Sequence, residues 1–338
     1  MTQPGTQPPT CARAFWLREP GVGEVRTVPL AEPGPGEVLV RTLRTGVSRG
    51  TETLVFGGGV PPGQHDVMRA PFQSGDLPGP VSYGYLNVGV VERGPADLEG
   101  RTVFCLFPHQ SAFVVPADAV HPVPEDVPLA RAVLAGTVET AVNALWDAAP
   151  LVGDRVTVVG AGMVGCCVAR LLGRIPGVRV TLVDVDPSRA AVAAALEVGF
   201  AAPDEAEGDQ DLVVHTSGTS AGLQRSLELL APDTSVLELS WFGDREVTLS
   251  LGAAFHSRRL GIRASQVGSV APARRGRRTT TDRLRLALEL LRDPAFDALL
   301  ADEWTLSELP TVLARLADGS LPGLCHTIRY DEEPPCSP

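Results

Sequence analysis

Lysine is absent from this chain: its 29 basic side chains are all arginine. That excludes a lysine Schiff base and a lysine general base, since the arginine guanidinium stays protonated. No apolar run approaches the roughly 18 residues that a membrane-crossing helix needs. The opening residues MTQPGTQPPT lack the basic and apolar regions of a secretory leader. We therefore expect residues 1–10 to be disordered and the protein to be cytoplasmic. The six cysteines include no Cys-x-x-Cys pair, so neither a redox motif nor a disulfide framework is expected. The net charge of −11 argues against nucleic acid as a partner.

What is present is a chain of 338 residues, long enough for two domains that each bury a core. Its most informative stretch is VTVVGAGMVGCCVARLLGRIPGVRVTLVDVD, residues 156–186. An apolar strand, Val156 to Val159, runs into Gly160-Ala161-Gly162-Met163-Val164-Gly165, and a helix follows. In such a G-x-G-x-x-G loop, Gly160 allows the tight turn and Gly162 lets the backbone approach a pyrophosphate. Gly165 lets helix and strand pack closely. The pyrophosphate would rest on the helix N-terminus, where free amides and the dipole favour an anion. A second apolar strand, Val178 to Val183, ends at Asp184, 19 residues after Gly165. An acid at that place accepts hydrogen bonds from ribose hydroxyls and repels a 2′-phosphate, so NAD is expected over NADP.

Residues 11 to 125 are rich in short β-like runs broken by Gly and Pro: Glu37 to Thr42, Val88 to Glu92, Thr102 to Leu106 and Ala112 to Val115. They predict a small antiparallel barrel or irregular sheet. A helix is expected near Leu129 to Leu145. Strands near 156–160, 178–184, 199–202, 211–216, 234–240 and 260–267, with helices near 162–174, 187–197 and 219–230, predict a six-stranded doubly wound sheet. A helix from Thr281 to Arg292, an element near Leu306 to Leu316 and a strand from Leu324 to Tyr330 close the chain. The tail 331–338 is acidic and Pro-rich and is expected to be disordered.

The stretches GEVLVRTLRTGVSRGTETLVFGG, YGYLNVGVVERG, GRTVFC, ETAVNALWDAAPLVGDRVTVVGAGMVG and VTLVDVDPSR resemble the medium-chain dehydrogenase/reductase superfamily over roughly residues 12 to 330. That resemblance implies an α/β chain with a GroES-like β-barrel catalytic domain (11–137) and a doubly wound, parallel-sheet Rossmann domain (138–271). A C-terminal return to the first domain (272–330) completes it. It also implies an NAD-dependent alcohol dehydrogenase or reductase, a small-molecule substrate, no membrane partner and a homodimer. Zinc-dependent members carry a Cys-x-Thr/Ser-Asp stretch, a Gly-His-Glu motif and a third ligand ahead of the Rossmann domain. Here Ser48 stands in the cysteine slot, with one extra residue before Thr51-Glu52. Gly84-Tyr85-Leu86 replaces Gly-His-Glu, and the third position falls near Gly136. The cysteine-rich lobe that holds a structural zinc is missing. No metal is therefore expected. The Ser48 to Glu52 stretch is similar to that of the bacteriochlorophyllide hydroxyethyl dehydrogenases, a zinc-lacking branch.

Without zinc, another group must exchange the proton that accompanies hydride transfer. Tyr85 either hydrogen-bonds the substrate oxygen or is an aromatic filling the metal's space. Thr51 aligns with a proton-relaying hydroxyl and otherwise is a turn residue. His109, in the loop FCLFPHQSAF, is an acid–base candidate or a backbone-bonded histidine. Glu52 is expected to be structural, pairing with an arginine, and Ser48 and Glu52 are secondary substrate candidates. Ser217 and Gly218, after the fourth Rossmann strand, are expected to border the cofactor with Gly160, Gly162, Met163, Val164, Gly165 and Asp184. His256 and Arg258, before the last Rossmann strand, are candidates for substrate contact. The arginines around them, Arg259, Arg263, Arg274, Arg275, Arg277, Arg278 and Arg283, point to an anionic substrate or to a solvated or dimer-facing loop. Single His65, His121, His215 and His326 are expected in core or surface roles. Glu139 is expected to do ordinary helix capping. Three functions remain open. They are a zinc-independent NAD(H) oxidoreductase of a secondary alcohol or ketone, a reductase of an activated C=C bond, and a non-catalytic dinucleotide-binding protein.

Overall fold

A computed structural model describes residues 11–330; the two termini expected to be disordered lie outside the described residues. The described chain up to Val133 and from Ala301 onward forms one compact unit, and Leu134–Leu300 form a second.

The first unit contains β1 (Cys11–Glu19), β2 (Val22–Pro29), β3 (Glu37–Gly46), α1 (Arg49–Phe56), two-residue β4 (Ser74–Gly75) and β5 (Val81–Ser82), then β6 (Asn87–Arg93), β7 (Thr102–Cys105), β8 (Ala112–Pro116), β9 (Val120–Pro122) and the single turn α2 (Leu129–Ala132). The second contains α3 (Ala135–Ala148), β10 (Arg155–Val159), α4 (Met163–Gly173), β11 (Arg179–Val183), α5 (Arg189–Ala195), β12 (Gly199–Ala201), β13 (Leu212–His215), α6 (Ser220–Leu229), β14 (Ser235–Glu238), α7 (Ala254–Ser257), β15 (Gly261–Ala264) and α8 (Thr280–Leu290). The chain then closes with β16 (Leu300–Thr305), α9 (Leu309–Ala317) and β17 (Cys325–Arg329).

In the first unit β3 is the organising strand. It pairs antiparallel with β17, β6 and β8, within a seven-stranded sheet, and β1 pairs with β2 and β5 in a smaller one. Val38, Val40, Val91, Val103, Phe113 and Val115 share one core cluster. The alternation of these β-branched and aromatic residues puts one face of each strand inside. Each fully buried side chain of this size stabilises the fold by about 1.5–3 kcal/mol relative to exposure.

The second unit is a parallel sheet in the order β12-β11-β10-β13-β14-β15. The strand order reverses between β10 and β13. The crevice at the carboxyl ends of the strands there is where open α/β sheets take ligands. The strands and helices read from the sequence fall within a few residues of these elements. The first unit resumes at Ala301, later than the residue 272 expected. Helix α8 stays in the second unit because Leu284, Ala287 and Leu288 are buried and Arg283, 1% exposed, is tied to α3. Its guanidinium bonds Glu139 at 2.9 Å and the Asn143 carboxamide oxygen at 2.6 Å. That contact also revises two expectations: Glu139 is an ion-pair partner rather than a helix cap, and Arg283 is a buried strut. Cys105, Cys166, Cys167 and Cys325 are free and buried, whereas Cys11 is disulfide-bonded, which the cysteine spacing did not foretell.

Candidate functional site

The glycine loop joins β10 to α4 at the carboxyl edge of the sheet. Gly160 has φ +107°, and a Cβ there would lie 2.6 Å from the Ser217 amide nitrogen. A Cβ on Gly165 would lie 1.9 Å from the Gly160 carbonyl oxygen and 2.6 Å from Thr216 Oγ1. Both positions thus admit only glycine, for the turn and for the helix–strand contact respectively. A Cβ on Gly162 would meet nothing within 4 Å. Gly162 is also the N-cap of α4, and no side chain caps that helix. The first amides of α4, at Met163 and Val164, are therefore left open beside clear space, the arrangement that receives an anion. These residues fit a dinucleotide pyrophosphate.

Asp184 stands directly after β11. Its Oδ2 accepts the Ala161 amide at 2.6 Å and its Oδ1 accepts the Asp186 amide at 2.9 Å. The carboxylate is thereby fixed against the glycine loop, and each oxygen keeps a further lone pair.

The ends of β13 and β14 carry a network that sequence reasoning missed. His215 is 0% exposed. Its Nδ1 lies 2.6 Å from Glu238 Oε2, and its Nε2 lies 2.6 Å from Ser217 Oγ. Ser217 Oγ meets Thr219 Oγ1 at 2.9 Å, and Thr219 in turn caps α6 by accepting the Gly222 amide. Glu238 Oε1 accepts the Ser240 amide at 2.6 Å, and Ser240 Oγ accepts the Gly218 amide at 3.0 Å. The only sequence signal was His-x-Ser at a strand end, where i and i+2 share a face. The glutamate comes from another strand and left no local trace. Gly218, with φ +64°, makes the turn into α6.

In the first unit the structure brings the sequence candidates together. Tyr85 donates its hydroxyl hydrogen bond to Ser48 Oγ at 2.6 Å, so two slots that the resemblance assigns to zinc ligands are adjacent and joined by hydroxyls. Burial, then the charge of Glu52, pushes the Tyr85 phenol up to about 12, against the lowering effect of hydrogen bonding with Ser48 and Thr51. Tyr83 packs edge-on against the Tyr85 ring. Thr51 is half-buried on α1. Glu52 accepts the Ser48 amide through Oε1 at 2.7 Å and meets His109 Nε2 through Oε2 at 2.9 Å. Its partner is thus a histidine, not the arginine expected. His109 is 1% exposed, and its Nδ1 is bonded to Thr45 Oγ1 at 2.6 Å. Thr45 Oγ1 continues to the Tyr330 hydroxyl at 3.1 Å. With both ring nitrogens engaged, His109 holds Glu52 and α1 in place instead of presenting a free acid or base. Ser48 touches both groups through different atoms, so no direct hydrogen bond carries a proton from Tyr85 to Glu52.

Other candidates are not brought to either place. His256 is exposed on α7. Arg258 precedes β15, and its guanidinium lies 3.8 Å from Asp209, which precedes β13. Both arginine and histidine therefore stand at the amino edge of the parallel sheet, whereas Gly160 follows β10 at the carboxyl edge. Arg274, Arg275, Arg277 and Arg278 are exposed.

Among the described residues no three His, Cys, Asp or Glu side chains converge as metal ligands. The Ser48 and Tyr85 hydroxyls are not the thiolate, imidazole or carboxylate donors that zinc takes. This donor set does not fit a catalytic zinc.

No family model matches the chain. Solved structures do. 2R,3R-butanediol dehydrogenase from Bacillus subtilis aligns with a TM-score of 0.76 at 14% sequence identity, over 95% of this chain and 100% of that one. L-idonate 5-dehydrogenase from Escherichia coli K-12 aligns with a TM-score of 0.76 at 15% identity, over 95% and 98%. A protein from Sinorhizobium meliloti 1021, bound to NADP, aligns with a TM-score of 0.73 at 17% identity, over 95% and 99%. The chain has the fold of these dehydrogenases. At such identities the likeness is one of fold, and the residues must supply the rest.

Proposed function

We propose that this chain is a nicotinamide-dependent oxidoreductase that prefers NAD and interconverts a secondary alcohol and its ketone without zinc. The observation that carries this is the Asp184 carboxylate, pinned by the Ala161 amide beside a glycine loop whose open side lies at Gly162. A 2′-phosphate at that place would face a fixed negative charge, whereas ribose hydroxyls would find an acceptor. The dehydrogenases that share the fold support the reaction class. They leave the choice between NAD and NADP to Asp184.

The bound nicotinamide would take up the hydride that leaves the carbinol carbon. This chain's own residues then have to manage the proton on oxygen. Tyr85, its pKa pushed up to about 12, stays protonated at neutral pH. When substrate binds, the single O–H of Tyr85 turns from Ser48 Oγ to the substrate oxygen, and the Ser48 and Thr51 hydroxyls then donate to the Tyr85 oxygen. In the reducing direction its proton goes to the nascent alkoxide. Ser48 Oγ, 2.6 Å away, stabilises the phenolate left behind. Glu52 and His109 act one step back. They fix the start of α1, which carries Thr51.

The test is turnover of pooled secondary alcohols and ketones with NAD(H) and NADP(H) after exhaustive chelation. Retained turnover with NAD is expected. Stoichiometric zinc whose removal abolishes turnover, or tighter binding of NADPH than of NADH, would overturn the assignment. Reduction of enones but of no ketone would move it to C=C chemistry.

A further inference from the structure

The Glu238–His215–Ser217 network has more order than a cofactor-lining loop requires. A donor can be assigned to every bond in it, with His215 Nδ1–H shared between Glu238 Oε2 and, at 3.3 Å, Ser240 Oγ. The Gly222 amide donates to Thr219 Oγ1, and the Thr219 hydroxyl to Ser217 Oγ. Ser217 O–H then donates to His215 Nε2, and His215 Nδ1–H to Glu238 Oε2, each at 2.6 Å. Glu238 is held in turn by the Ser240 amide. A carboxylate that orients an imidazole, and an imidazole that accepts from a serine, are the elements of an activated hydroxyl nucleophile. The placement matches as well. Ser217 sits on a strand-to-helix turn between β13 and α6. It is half-buried while its base is 0% exposed, so the hydroxyl is the end of the chain that a ligand can meet. The first amides of the ten-residue α6, at Ser220 and Ala221, precede the capped Gly222 amide and are free to receive an oxyanion.

We propose that Ser217, His215 and Glu238 form a second catalytic site, which hydrolyses small carboxylic esters when no dinucleotide occupies the glycine loop. Ser217 Oγ adds to the ester carbonyl carbon while its proton passes to His215 Nε2. The C–O bond to the alcohol breaks, and that alcohol leaves with the same proton. Water, deprotonated by His215, then cleaves the acyl-serine to a carboxylic acid and restores Ser217. The triad stands without the oxidoreductase assignment. Only the competition rests on it: Gly160 lies so close that a Cβ there would be 2.6 Å from the Ser217 amide, so a dinucleotide on the loop would cover the serine.

The experiment uses the full chain and a fluorophosphonate probe, read by intact mass and peptide mapping, with p-nitrophenyl acetate hydrolysis alongside. One label per chain at Ser217 is expected, together with protection by NAD. Ser217→Ala should abolish the label and lower hydrolysis by about 10²–10⁴-fold. Glu238→Gln, which keeps the shape but not the charge, should slow labelling at least tenfold. Wild-type protein that takes no label, a label at another residue, or unchanged hydrolysis by a folded Ser217→Ala variant would overturn the triad. Labelling indifferent to saturating NAD would overturn the shared site. The wild-type result decides even if a variant fails to fold.

Discussion

Among the described residues, each unit buries a histidine against a glutamate, and the two pairs end differently. His109 bonds Glu52 through one nitrogen and Thr45 through the other, and Thr45 leads on to Tyr330. Every member of that line is at most 7% exposed. His215 bonds Glu238 and Ser217, and Ser217 is half-buried at the carboxyl edge of the parallel sheet. The pairing chemistry is the same. What differs is the exposure of the hydroxyl on the histidine's second nitrogen, buried at Thr45 and half-buried at Ser217, and that decides whether the pair clamps a fold or reaches a ligand. In the first unit the proposed proton donor is a separate group, the Tyr85 hydroxyl on Ser48, whose amide the clamp holds through Glu52.

The largest expected effect tests that division. Tyr85→Phe should lower kcat by about 10²–10⁴ while NAD affinity is kept, since removal of a general acid–base group costs that much. Steady-state turnover together with a direct NAD titration separates the two quantities. A kcat near wild type would return the proton to the histidine line and erase the distinction.

Next in size is the clamp itself. His109→Ala leaves the Glu52 carboxylate, 3% exposed, with only the Ser48 amide. Breaking a buried pair in this way costs about 3–5 kcal/mol, to be read from denaturant melts. His215→Ala should cost less. The Glu238 side chain is 10% exposed against 3% for Glu52, and water can reach its vacated lone pair more easily. A larger loss at His215 would reverse the comparison.

The second unit was legible in the sequence almost throughout, and the first only in part, for one physical reason. In the parallel sheet the four inner strands β10, β11, β13 and β14 are mostly buried, so they read as near-continuous apolar runs such as VTVV and VTLV, with glycines and caps as punctuation. Asp184 and the glycine loop belong to that local grammar. The first unit's β2 has no buried residue, and β16 has none either, so neither shows an alternation. Helix α1 has eight residues, too short for a helical period to stand out. Its site is held by pairs far apart in sequence: His109 lies 57 residues from Glu52, and Tyr85 lies 37 from Ser48. Only the resemblance placed Tyr85 and Ser48 together. His215 was passed over because one polar residue ends an apolar strand, LVVH, and its partner Glu238 ends a different one.

Asp184→Ala should narrow the preference for NAD over NADP by about tenfold, equal to about 1.4 kcal/mol, measured as the ratio of the two dissociation constants. The variant also strips the Ala161 amide of its acceptor, so both cofactors should bind somewhat more weakly. An unchanged ratio would mean that the 2′ position faces something other than this carboxylate.

A smaller effect is the pH response of the strut that keeps α8 in the second unit. Burial raises the Glu139 carboxyl above its ordinary value, outweighing Arg283, which lowers it. The folded state therefore holds this proton more tightly than the unfolded state. Its contribution is complete below the unfolded value, about 4.3, and is lost as pH rises through the folded value. The stability difference between the wild type and Glu139→Gln should shift against the wild type from about pH 4 upward and then level off. A shift in favour of the wild type would show that Arg283 outweighs burial.

The smallest effect is expected at the amino edge of the parallel sheet, where Arg258 and Arg259, two of the arginines that suggested an anionic substrate, precede β15. Arg259 and Asp233 pair at 2.7 Å, but their side chains are 83% and 65% exposed. Such a pair gains little in water and is screened by salt, so Arg259→Ala should change stability by no more than about 0.5 kcal/mol. Arg258 is 32% exposed and lies 3.8 Å from Asp209, in a group that also holds Arg155. Its replacement by alanine should likewise leave KM unchanged for every accepted substrate, carboxylates and phosphates included. The reason is geometric. Residues that precede a parallel strand stand at the opposite edge from those that follow one, and the glycine loop, Asp184 and Ser217 all follow strands. A rise in KM confined to anionic substrates, and steeper at high ionic strength, would show that these guanidinium groups do meet the ligand. The separation of the sheet's two edges into structural and ligand-facing residues would then fail.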